Sequence, residues 1–111
     1  MEKILFEYYE LINSKDIDAI LTKMLSPNIY VTFQEKERNW RGLENAKAKF
    51  SKMYEVNPNF YGEILSVEEI EGKRISLKVF FGDKNEKEKQ KLSKIMVYHF
   101  DENDKIIQID H

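Results

Sequence analysis

The spacing of apolar residues changes character at Asn57-Pro58, and that change limits the architectures open to the chain. Ahead of it the apolar residues return mostly at helical intervals. Ile4, Leu5, Tyr8, Leu11 and Ile12 line one side of a helix over residues 2–13. Asp16 is a good N-cap, and Ile17, Ile20, Leu21, Met24 and Leu25 predict a second helix that Ser26-Pro27 stops. Leu43, Ala46, Phe50, Met53 and Tyr54 predict a third, closed by Asn57-Pro58. Between the last two, Ile29, Tyr30, Val31, Thr32 and Phe33 are β-branched or aromatic, so residues 28–34 read as a strand. After Pro58 the pattern is that of an antiparallel sheet, with strands over 60–70, 74–81, 92–100 and 105–111. Ile75, Leu77, Val79 and Phe81 fall on one face of the second of these. Turns are expected at Glu71-Gly72 and Asp101-Glu102-Asn103-Asp104, and the charged stretch 82–91 reads as a solvated hairpin tip with its flanks. The order α-α-β-α-β-β-β-β defines an α+β domain whose helices cover one face of the sheet.

Composition narrows the function classes. At 111 residues the chain is the size of one domain, and with 41% hydrophobic residues, seven Phe and six Tyr it has the material for a packed core. The formal charge of -2 offers no basic surface for a polyanion, so nucleic acid is not an expected partner. With no Cys and only His99 and His111, no thiolate chemistry or built-in metal centre is expected. The segment Met1-Glu2-Lys3-Ile4-Leu5-Phe6-Glu7 lacks the apolar run of a secretory signal, and no stretch approaches the roughly 20 apolar residues of a membrane span. A cytoplasmic protein without membrane contact is the expectation.

Three motifs, in this order, carry a family resemblance. The segment Tyr8-Tyr9-Glu10-Leu11-Ile12-Asn13-Ser14-Lys15-Asp16-Ile17-Asp18 resembles the opening of SnoaL-like polyketide cyclases and ketosteroid isomerases. Trp40-Arg41-Gly42-Leu43-Glu44-Asn45-Ala46 resembles the entry into their third helix, and Tyr98-His99-Phe100-Asp101 through Lys105-Ile106-Ile107 resembles their final hairpin. The likeness to the nuclear transport factor 2-like superfamily spans nearly the whole chain. It implies a cystatin-like cone: a strongly curved, mainly antiparallel sheet, three helices packed on its concave side, a pocket between them, and commonly a homodimer joined through the sheet.

The resemblance also tests the chemistry. Ketosteroid isomerases use a carboxylate base, with a Tyr and a protonated Asp as oxyanion donors. Their helix 1 Tyr falls on Tyr8, which keeps the donor. Their base falls near Phe33 and their acid near Met96, and neither a hydrocarbon nor a thioether can move a proton. Isomerisation by that route is therefore disfavoured.

The leading expectation is a pocket without cofactor or metal, lined by Tyr8, Phe33, Trp40, Phe50, Tyr54, Met96 and Tyr98, that takes a small hydrophobic or aromatic molecule. Strand alternation sets Met96, Tyr98 and Phe100 on one side and Ile95, Val97 and His99 on the other; by resemblance the first set faces the pocket. His111 shares a face with Ile107 and Ile109 and is expected at the pocket wall, with fraying into solvent as the competing reading. One alternative is a cofactor-free isomerase, cyclase or hydratase that uses His111 or Glu35 with Tyr8. Another is an interaction module that works through the outer face of the sheet. Asp16 and Asp18 are explained by helix capping, and Arg41 and Glu44 are read as structural.

Overall fold

A computed structural model describes residues 1–85 and 93–111. Helix α1 (Glu2–Asn13) is followed by a short α2 (Ile17–Ala19) that runs into a π-helical turn (Ile20–Met24). Strand β1 (Leu25–Thr32), a 3-10 turn (Lys36–Arg38), β2 (Trp40–Arg41) and α3 (Leu43–Val56) come next. Strands β3 (Phe60–Ile70), β4 (Arg74–Asp83), β5 (Ser93–Phe100) and β6 (Ile106–Asp110) complete the order. The strands form one curved sheet in the order β2-β1-β6-β5-β4-β3. Among the described residues only β1 and β6 run parallel; the other neighbours are antiparallel.

The helices cover the concave side because their apolar faces have nowhere else to go. From α1, Leu5, Tyr8, Tyr9 and Ile12 are buried; from the π-turn, Ile20 and Met24. They meet Ile75, Leu77, Val79, Met96, Tyr98 and Phe100 of the sheet in one core. Each such side chain contributes about 1.5–3 kcal/mol on burial. Asp16 caps α2 as expected, its Oδ1 accepting from the Ala19 amide at 3.1 Å. No helix among the described residues is long and apolar enough to cross a membrane.

The structure departs from the sequence reading in three places. The second helix gives way to the strand before Ser26-Pro27, so Pro27 lies inside β1. It is tolerated there because the β1–β6 register shifts between Leu25 and Tyr30, and a bulge needs no ladder hydrogen bond from that position. Trp40, for which the sequence pattern predicts no strand, forms β2 with Arg41, paired to Val31 and Tyr30 of β1. The described residues therefore hold six strands rather than five, and two residues are too few to leave a periodic signal. Finally, β6 pairs with β5 through a bulge between Phe100 and His99, which turns Ile106 into the core with Ile109 and leaves Ile107 half-buried. The alternation expected over Ile107 and Ile109 thus breaks at one inserted residue. The charged stretch falls partly on residues 86–91, outside the described residues.

Candidate functional site

The inward-facing side chains leave a cavity of about 310 Å³ between the helices and the sheet, at the lower end of the range for small-molecule pockets. Tyr8 and Ile12 of α1 form one wall, Phe50 and Met53 of α3 a second, and Met96 and Tyr98 of β5 the floor. Phe33 and Trp40 flank β1 and add aromatic surface. No carboxylate among the described residues lines the cavity. Phe33 and Met96, the positions that the resemblance sets against an isomerase's base and acid, both stand at its wall.

Tyr54 is not at the wall. Its hydroxyl donates to the Ile12 carbonyl at 2.5 Å, and its ring stacks against Phe50 at 6.4 Å. The last turn of α1 has carbonyls without intrahelical partners, and the Tyr54 phenol is drawn to one of them instead of the cavity. Desolvation pushes its pKa up to about 12. Glu35 is also outside: it lies in an adjoining surface depression and pairs with Arg38 at 3.8 Å, both side chains well exposed.

Three tyrosines meet beneath the cavity. The Tyr9 and Tyr98 hydroxyls share a hydrogen bond of 2.8 Å, and Tyr8 sets its ring edge-on to both, at 5.7 Å from Tyr9 and 6.0 Å from Tyr98. Tyr8 is only 4% exposed, yet its hydroxyl has no hydrogen-bond partner among the described residues. Burial raises its pKa well above the usual tyrosine value, with the neighbouring Tyr98 and Tyr54 adding to the effect, so it stays a neutral donor. A buried hydroxyl left unpaired costs free energy, and in a cavity wall it is a group that a ligand or water satisfies.

His111 is held rather than frayed. Its amide donates to the Thr32 carbonyl at 3.0 Å, and its ring stacks on Phe33 at 4.3 Å. Lys94 Nζ stands 3.3 Å from His111 Nδ1. An ammonium can only donate, so Nδ1 accepts and the ring proton belongs on Nε2. Desolvation lowers the His111 pKa to about 4, helped by the charges of Lys94 and Arg38 and opposed by Asp110. The imidazole at the wall is therefore neutral at pH 7.

Some site residues escaped the sequence reading. Lys94 lines the cavity and shares the β5 alternation with Met96 and Tyr98, a signal that was there to be used. Tyr9 stands four residues after Leu5, on the buried flank of α1. Lys49 of α3 is exposed and reaches the rim, and an exposed lysine on a helix carries no sequence mark of that role.

A curved sheet closed by three helices around an apolar pocket is the architecture of the SnoaL-like and nuclear transport factor 2-like proteins, and the chain has that fold. A SnoaL-like protein of unknown function from Burkholderia thailandensis superposes with a TM-score of 0.80 at 15% identity, over 98% of this chain and 90% of its own. A protein from Sinorhizobium meliloti provisionally assigned as a polyketide cyclase gives 0.79 at 11% identity, over 99% and 94%. A protein of unknown function with a cystatin-like fold from Methylobium petroleophilum gives 0.78 at 19% identity, over 99% and 72%. No protein-family model matches the sequence, and no curated protein matches it.

Proposed function

We propose that the protein binds a small hydrophobic or aromatic molecule in the cavity of the cone. The observation that carries this reading is the Tyr8 hydroxyl, buried, neutral and unpartnered among the described residues, at the wall of an apolar cavity of about 310 Å³. Tyr8 supplies one directional donor, and the aromatic and aliphatic wall supplies the rest of the affinity.

The test uses N-phenylnaphthylamine, a neutral dye that brightens in apolar surroundings. The native protein is expected to bind it saturably at one site, with quenching of Trp40, the one tryptophan of the chain. Val31→Phe adds a ring at the cavity wall and is expected to weaken binding at least tenfold while the far-ultraviolet circular dichroism stays native. Non-saturable binding, or binding untouched by Val31→Phe, would overturn the proposal.

A second reading, a cofactor-free isomerase, cyclase or hydratase, is supported by His111 and Tyr8 both lining the cavity. It ranks lower because an imidazole held near about 4 is a weak proton acceptor, and because Glu35 lies outside.

A further inference from the structure

Among the described residues, no polar group around the cavity carries a negative charge. Lys49 and Lys94 line it together with the neutral His111 and two phenols, and no Asp or Glu among the described residues does so. Neither lysine makes an ion pair among the described residues. The nearby carboxylates are engaged elsewhere. Glu35 pairs with Arg38, and Asp110 accepts from Thr32 Oγ1 at 2.7 Å and Gln108 Nε2 at 2.9 Å and lies 2.7 Å from His99 Nε2.

Lys94 is the best placed of these cations. It lines both the cavity and the adjoining depression, as do Phe33 and His111, so the three form the rim where the two spaces meet. Its ammonium faces His111 Nδ1 and lies 5.0 Å from the centre of the Phe81 ring. Among the described residues those contacts leave it without a counter-charge, since Glu35 in the same depression pairs with Arg38. Loss of surrounding water and the Arg38 charge both lower the Lys94 pKa, the response of a cation short of an anion.

We propose that the ligand is a hydrophobic organic anion, an aromatic or aliphatic carboxylate, whose apolar body fills the cavity and whose charged end pairs with Lys94 at the rim. This rests on the binding reading above and narrows it. The apolar wall excludes a strongly polar body, and the unpaired lysine rewards one negative charge at the mouth.

Two dyes with the same aromatic skeleton separate the claims: neutral N-phenylnaphthylamine and its sulfonate, anilinonaphthalenesulfonate. Naphthoate and its methyl ester serve as competing carboxylate and neutral ester. The native protein is expected to bind each anion about tenfold tighter than its neutral counterpart, a charge-assisted hydrogen bond's worth. Higher salt should shrink that preference and leave the neutral dye unaffected. Lys94→Met keeps the apolar stem and is expected to abolish the preference, with a native far-ultraviolet circular dichroism spectrum reporting an intact fold. Lys94→Arg should restore it. Equal binding of anion and neutral partner overturns this inference alone; a preference that survives Lys94→Met overturns the role of Lys94. Failure of both dyes to bind overturns the binding reading, and this one with it.

Discussion

Tyr8 and Tyr98 present the same phenol to the same cavity but differ in what their hydroxyls meet. Tyr98 is paired to Tyr9, so Tyr98→Phe would strand a buried hydroxyl. We expect that variant to lose about 1–3 kcal/mol in urea unfolding. Tyr8→Phe removes a group that has no partner among the described residues, and its urea midpoint is expected to stay level or rise, while affinity for a hydrogen-bonding ligand falls. His111 gives a pH signature. Its pKa is lowered from 6.5 in the unfolded chain to about 4 in the folded one, so the unfolded state binds more protons between those values. Stability from this residue is complete above about pH 6.5 and is lost as pH falls toward 4. Thermal unfolding of the native protein against His111→Gln should show the difference shrinking over that window, and NMR titration of the His111 ring should place its midpoint near 4. At this scale the sequence was partly legible. Phe33 and Met96 could be placed by resemblance, and Lys94 by alternation. The direction taken by Tyr54 could not, because it depends on a carbonyl of another helix that only the folded chain brings near.

The joint between α1 and β3 shows how elements are locked together. β3 is an edge strand among the described residues, and the outward N–H and C=O of Gly62 have no strand there to pair with. Asn13, the last residue of α1, supplies both partners: its Oδ1 accepts from the Gly62 amide at 2.8 Å, and its Nδ2 donates to the Gly62 carbonyl at 2.9 Å. This closes part of an exposed edge. The helix comes close enough that a Cβ on Gly62 would lie 2.9 Å from the Phe81 ring and 3.1 Å from that of Tyr9. Gly62→Ala is therefore expected to cost about 1–3 kcal/mol in urea unfolding through overpacking. Helix starts and stops, the hairpins and the sheet faces were readable because capping residues and periodicity are local. The bulges near Pro27 and Ile107 and the short β2 were not, because register is settled between strands and leaves little trace within either one.

At the scale of the molecule, the order of elements and three motifs led to the cone, and the structural neighbours have it too. The cavity is a different kind of property. Periodicity tells which side chains turn inward, but not whether their volumes fill the space that the sheet's curvature encloses; that follows from helix tilt and strand bulges together. The central claim is that this space receives a ligand. Methyl NMR of the native protein titrated with naphthoate tests it most directly. The largest shifts should fall on Leu25, Ile29, Val31 and Ile109, which line the cavity, with Val56 and Leu65, both exposed, left unmoved. Shifts confined to Val56 and Leu65, with the cavity methyls silent at saturating naphthoate, would contradict the claim.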